Sequence, residues 1–195
     1  VNGKKDVGSV NHGYYIGKYE GTNEEYAIFL NNVASKTNDP YGLWNENMNI
    51  SRNGNKGNWK FSVSEGKERH PVNYVSWMDA ARFCNWLTTG HINIGVYGNI
   101  DSNKEFTDRR QNENYWGGGG VSIANQSEWH KAAYYSGDPN DGMKGESGYW
   151  AYASQSNEIS KNDANYDNSM EDVTPVGTYS NKPSNYGTYD QSGNV

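Results

Sequence analysis

Basic charge, paired cysteines, proline and long apolar runs are all scarce in this chain of 195 residues. Seventeen Lys and Arg stand against 23 Asp and Glu, a net charge of -6. Nucleic-acid binding requires a basic face that displaces counterions from phosphate, so that class is excluded. Cys84 is the only cysteine, which rules out an internal disulfide frame and a Cys-pair zinc site. It leaves the redox compartment open. No apolar run approaches the roughly 18 residues that carry a helix across a bilayer, so no membrane span is expected. The chain begins at Val1 rather than Met, which reads as a start whose leading residues were removed.

Large aliphatics are few as well: Leu, Ile, Val and Phe total 27. At high net charge that would spell disorder. The charge is modest, however, and an aromatic fraction of 14% supplies large surfaces to bury. Sixteen Tyr, seven Trp and 23 Gly describe a loop-rich folded chain with a core built on rings. Its length fits one domain, 1–195, and no internal repeat is visible.

Three helices are marked by their caps. In "TNEEYAIFLNNVASK", Thr22 and Glu25 form a capping box, and Tyr26, Phe29, Leu30 and Val33 fall on one stripe. In "SWMDAARFCNWLTTG", Ser76 is the N-cap, Asp79 lies in the first turn, and Gly90 stops the helix. Trp77, Ala80, Ala81, Cys84 and Leu87 are expected to share its buried face. In "NQSEWHKAAYYSG", Asn125 and Glu128 cap the start, Gly137 stops the run, and Trp129, Ala132 and Ala133 are expected to turn inward.

The rest is polar and irregular. "WNENMNISRNGNKGNWKFSVSEG" reads as a hairpin, because "NGNKGN" separates two segments and "WKFSV" alternates. "VYGNIDSNKEFTDRRQNENYWGGGGVSI" reads as a surface excursion. "GYWAYAS", "VTPVGTY" and "YGTYD" read as short aromatic strands or turns, and "DPNDG" at 138–142 as a turn. The closing "NYGTYDQSGNV" reads as strand, tight turn, and the start of another strand.

Four segments occur in the order and spacing of one family: "YYIGKYEGTNEEYAIFLNNV", "RHPVNYVSWMDAARFCNWL", "SIANQSEWHKAAYY" and "TPVGTYSNKPSNYGTYDQSGNV". The chain resembles the formylglycine-generating-enzyme, or sulfatase-modifying-factor, superfamily. That group includes the ergothioneine-synthesis sulfoxide synthases and the variable proteins of diversity-generating retroelements. The resemblance runs from Tyr14 to Val195 and implies an α+β, C-type-lectin-like domain with a short twisted antiparallel sheet, little other regular structure and long Gly/Asn-rich loops. It also implies a fragment incomplete at its C-terminus, since in the family "GNV" leads into a Trp-Glu-Trp stretch and an Arg-Gly-Gly-Ser segment. The long insertions resemble those of exported bacterial members, periplasmic or extracellular.

The resemblance carries three metal chemistries. The formylglycine-generating branch binds copper(I) on two cysteines that belong to the part beyond Val195. Cys84 lies on a helix stripe and reads as a core thiol, a poor nucleophile when buried. The sulfoxide synthases bind iron through histidines; here His12, His70, His91 and His130 are far apart with no i, i+4 pair. His70 reads as a structural element before Pro71, and His130 as solvent-facing. No Ser-His-Asp arrangement is indicated, and "GGGG" at 117–120 lacks the Lys-Ser/Thr of a phosphate loop.

Calcium takes six to eight oxygens, backbone carbonyls included, and suits such loops. By the resemblance one structural site falls on the Asp190 side chain with the Gly193 and Val195 carbonyls. A second falls on the Asn165 side chain, the Tyr166 carbonyl, Asn168 and the Met170 carbonyl. Asn168 stands where the family usually has Asp, and that loop is shortened. The alternative is that Asp190 only closes a turn through backbone amides.

Trp44, Trp59, Trp116 and Trp150 lie in loops, where rings stack on sugars or peptides or else roof the core. Two functions follow. One is a parent oxidase that converts a protein cysteine to formylglycine; the other is a non-catalytic exported module binding a carbohydrate, peptide or surface partner. This chain by itself is expected to carry no catalytic residue.

Overall fold

The computed structural model describes residues 7–98, 119–138, 140, 148–167, 170 and 172–194. Among them are three helices and one two-stranded antiparallel sheet, an α+β content. The chain divides into two compact units, Val1–Glu20 with Ala124–Val195, and Gly21–Ile123.

In the Gly21–Ile123 unit, helix α1 (Asn23–Val33) starts where the capping pattern places it. Thr22 Oγ1 accepts the Glu25 N–H at 3.3 Å, and the Glu25 carboxylate accepts the Thr22 N–H at 2.9 Å. Tyr26, Phe29 and Leu30 are buried, and Val33 packs against them. The core is ring-built, as the composition implies: Phe29 lies 5.2 Å from Tyr26, 5.2 Å from Phe83 and 5.5 Å from Trp86, centroid to centroid. Tilted and edge-on pairs of this kind add about 0.5–1.5 kcal/mol each beyond area burial.

The hairpin pairs β1 (Ile50–Asn55) with β2 (Asn58–Val63) in the register Ile50↔Val63 to Asn55↔Asn58. The strands run into the "NGNKGN" stretch, so the turn itself is only Lys56 and Gly57. The Asn31 amide of α1 imitates a neighbouring strand. It donates to the Phe61 carbonyl at 2.7 Å and accepts the Phe61 N–H at 3.0 Å. The Trp59 N–H donates to the Ser35 carbonyl at 2.8 Å.

Helix α2 (Trp77–Thr89) is capped by Ser76, whose Oγ accepts the Asp79 N–H at 3.2 Å. It ends at Gly90, whose φ of 78° would strain a residue with a Cβ. Its buried face differs from the expected stripe. Trp77 and Leu87 are 36% and 48% exposed, while Ala81, Arg82, Cys84 and Asn85 are buried. The helix is rotated because it serves two clusters at once. Phe83 and Trp86 join the Phe29 rings, and Ala81 and Cys84 pack with Val96 and Tyr97. Asn85, a polar residue outside the expected stripe, is fully buried. The buried amide is satisfied by accepting the Tyr97 N–H at 3.0 Å and donating to the Ile92 carbonyl at 3.3 Å. Arg82 lies 4.2 Å from the Tyr41 ring and 3.9 Å from Asp79, and its burial lowers the guanidinium's proton affinity.

In the Val1–Glu20 and Ala124–Val195 unit, helix α3 (Gln126–Tyr134) has the Asn125–Glu128 capping box. Ala132 and Ala133 are buried, but Trp129 is 41% exposed and meets the Tyr134 ring edge-on at 5.7 Å. The helix ends before Gly137, because Tyr135 is already extended and bridges to Tyr149. His130 is not solvent-facing: its ring is held between Tyr134 and Tyr149, 5.0 Å from each. The closing stretch is a series of turns rather than two strands. Gly187 donates to the Ser184 carbonyl at 2.9 Å and Gly193 to the Asp190 carbonyl at 3.3 Å. The excursion over 99–118 and most of "DPNDG" lie outside the described residues.

Candidate metal centre

Two segments distant in sequence, around Asn165 and around Asp190, meet in the first of these units. The Asn194 N–H donates to the Asn165 carbonyl at 2.8 Å. Asn165 Nδ2 donates to the Asp172 carbonyl at 3.1 Å and to Asn194 Oδ1 at 3.3 Å. A Cβ built on Gly193 would overlap the Asn165 carbonyl oxygen, so only glycine allows this approach. The two calcium loops expected from the resemblance are therefore neighbours.

Asn194 is the fastener. Its Oδ1 accepts the Thr174 N–H at 2.7 Å and the Thr174 hydroxyl at 3.0 Å. Its Nδ2 donates to the Thr174 carbonyl and to Glu20 Oε1, both at 3.1 Å. Asp190 Oδ2 accepts the Gly177 N–H at 2.7 Å. Asp167, Asp190 and Asn194 adopt φ of 50°, 62° and 81°, left-handed backbone that costs non-glycine residues energy and gathers at functional loops.

The electrostatics are unbalanced. Glu20 Oε2 and Asp190 Oδ1 are both enclosed and have no hydrogen-bond partner. Burial, then the nearby Asp190, pushes the Glu20 carboxyl up to about 7. Burial raises Asp190 too, against the Gly177 hydrogen bond. Orphaned carboxylate oxygens beside a carbonyl-rich loop are the donor set a hard cation takes, and calcium fits these residues. Asp190 as a mere turn-closer explains its bond to Gly177, but not the orphaned Oδ1.

Asp190, Gly193 and Asn165 are thus brought together. Tyr166 adjoins them, its hydroxyl donating to the Ile159 carbonyl at 3.2 Å. Met170 is 52% exposed. Asn168 and Val195 lie outside the described residues. Sequence reasoning missed Glu20, Asn194 and Thr174. Glu20 stands over 140 residues from the loop with only its place before the α1 cap to mark it, and Asn194 was read as part of a family signature.

No trio of His, Cys, Asp and Glu gathers as a metal cluster among the described residues. Cys84 is buried, and burial pushes its thiol up to about 12. Trp44 and Trp59 pack against the core and hold the Arg52 guanidinium between their rings, at 4.1 and 4.7 Å. Their faces are covered by a cation from the same hairpin. Trp116 lies outside the described residues. Among the described residues no helix is long and apolar enough to cross a membrane.

Capped helices, an aromatic core and turn-stitched closing loops define an α+β scaffold of a recognisable class. The chain belongs to the sulfatase-modifying factor enzyme 1-like domain family, whose model matches residues 5–195. It is also similar to a curated protein named "Chaperone protein LppX" from Paenibacillus barcinonensis. The two are 29% identical over 204 residues, covering 93% of this chain and 60% of that protein.

Proposed function

We propose that this chain is the C-type-lectin-like scaffold of an exported, non-catalytic module that holds a protein or peptide partner, with calcium setting the loops around Asp190. The observation that supports a scaffold role for these residues is the state of Cys84. It is this chain's one thiol, it is sealed between α2 and Tyr97, and at neutral pH it stays protonated. A relative named as a chaperone supports a protein partner over a sugar. So do Trp44 and Trp59, whose ring faces are occupied by Arg52.

In this reading Asp190, the Gly193 carbonyl and the neighbouring Asn165 segment hold the ion. Calcium supplies positive charge that neutralises enclosed carboxylates and locks their loops; the protein's own residues orient and exclude water. The family's description as an enzyme favours a second reading, in which the whole protein oxidises a substrate cysteine to formylglycine on copper held by cysteines outside these residues.

One pair of assays separates the two. Light scattering of a thermally unfolding model protein should fall when this protein is added in stoichiometric amount. Mass spectrometry of a sulfatase-motif peptide incubated with the protein, copper(I) and oxygen should show the cysteine unchanged. Undiminished scattering together with formylglycine in the peptide overturns the binding-module reading.

A further inference from the structure

We propose that a continuous belt of aromatic rings, running from Trp129 to Tyr186, is a docking surface for a partner polypeptide segment that presents arginine or lysine. This inference rests on the reading of the chain as a module that holds a protein partner, and it names the chemistry of the segment held.

The belt lies within the Val1–Glu20 and Ala124–Val195 unit. Trp129 meets Tyr134 edge-on at 5.7 Å, and His130 lies 5.0 Å from both Tyr134 and Tyr149. Tyr149 meets Tyr135 at 5.3 Å, and Tyr135 stacks on Tyr186 at 6.3 Å with 19° between the planes. Both ends reach solvent, Trp129 at 41% exposure and Tyr186 at 50%. Joined aromatic surface with open ends is typical of interaction sites, where Tyr and Trp carry much of the binding energy. The rings are also held in place. The Tyr149 hydroxyl donates to the Gly8 carbonyl at 3.1 Å. The Ser136 N–H donates to the Gly148 carbonyl at 2.8 Å, and the Trp150 N–H to the Tyr134 carbonyl at 2.9 Å, fixing the segments that carry Tyr135 and Tyr149. Rings fixed beforehand lose little freedom when a partner docks.

Charge selects the occupant. The face of an aromatic ring is electron-rich and attracts cations. Elsewhere the protein covers such faces itself: Arg52 lies over Trp44 and Trp59, Arg82 over Tyr41, and Lys18 over Tyr19 and Tyr189. Among the described residues no Lys or Arg lies over Trp129, Tyr134, Tyr135, Tyr149 or Tyr186, although Lys131 belongs to the same helix. The chain carries a net charge of -6, so a cationic segment is drawn to it and an acidic one repelled. Arginine suits the belt best, because its planar guanidinium stacks on ring faces, as Arg52 and Arg82 do within this chain.

Fluorescence anisotropy with a labelled glycine-serine peptide bearing spaced arginines, against the same peptide bearing glutamates, tests the proposal. The wild type is expected to bind the arginine peptide about tenfold more tightly than the glutamate one. Tyr186→Leu and Trp129→Leu keep apolar bulk at the two exposed ends but remove the ring, and each is expected to weaken arginine-peptide binding about threefold. Tyr186→Phe keeps the ring and is expected to match the wild type, as is Leu87→Ala, an exposed residue of the other unit. Equal binding of the two peptides, or undiminished affinity in both Leu variants, overturns the inference. So does a neutral oligosaccharide that binds the belt where the arginine peptide does not. If the arginine peptide fails to bind while the protein still suppresses scattering by an unfolding model protein, the inference falls and the holding reading stands. If scattering is undiminished as well, both fall.

Discussion

At the scale of single residues, the protein keeps its reactive groups quiet. Cys84 sits among Ala81, Val96 and Tyr97, and burial lifts its thiol from 9.0 to about 12. Three units correspond to roughly a thousandfold smaller thiolate fraction at any pH below both values. Iodoacetamide labelling of native protein at pH 8, followed by mass spectrometry, is therefore expected to be slower than labelling in urea by that order. Equal rates would mean the thiol is open. Asp163 behaves oppositely. The hydrogen bond from Lys182 at 2.6 Å, then that from the Ser160 hydroxyl at 2.5 Å, hold its carboxyl down to about 2 from an ordinary 3.8. A depressed folded value contributes stability above the unfolded value and loses it as pH falls through the folded one. Asp163→Asn is expected to destabilise at pH 6 and to converge with wild type below about pH 2. Denaturant melts across that window check it, and a constant offset at every pH would refute it.

At the scale of elements, local chemistry was the most legible part of the sequence. All three capping boxes form where Thr22, Ser76 and Asn125 precede Glu25, Asp79 and Glu128, because a cap needs only neighbours. Ser76→Ala removes the acceptor for the Asp79 N–H and is expected to cost about 1 kcal/mol in chemical denaturation. A loss under a few tenths would place the start of α2 under tertiary control instead. Which face each helix buries was less legible. Trp77, Leu87 and Trp129 look like core residues by type and spacing, yet partners chosen across the fold bury Arg82, Asn85 and Glu128. Asn85 and Glu128 are admitted because Tyr97 and His12 bond to them, and the Arg82 guanidinium lies over the Tyr41 ring, at distances in sequence that periodicity does not see. The candidate site divides the same way. Asp190 with Gly193, and Asn165, follow from two separate loops of the family pattern, whereas Glu20 and Thr174 reach them only through folding.

At the scale of the whole molecule, an ion that binds only the folded form raises stability by mass action. At a hundredfold excess over its Kd the gain is about 2.7 kcal/mol. A thermal scan in millimolar calcium is expected to show a higher midpoint than one in chelator. Identical midpoints would remove calcium from the account of this fold. The relative named as a chaperone extends well beyond the aligned segment, since the alignment spans 60% of its length.

The Asn31 amide on Phe61 has a bearing on whether the hairpin can take up a further strand. A two-stranded hairpin exposes backbone groups on both margins, and such margins recruit further strands. On the β2 margin the Phe61 pair is occupied by a side chain, and the Trp59 N–H is taken by Ser35. An incoming strand would have to evict both before it gained a single bond. The helix thereby acts as a guard against growth of the sheet on that margin, a side chain and a loop carbonyl standing where a further strand would pair.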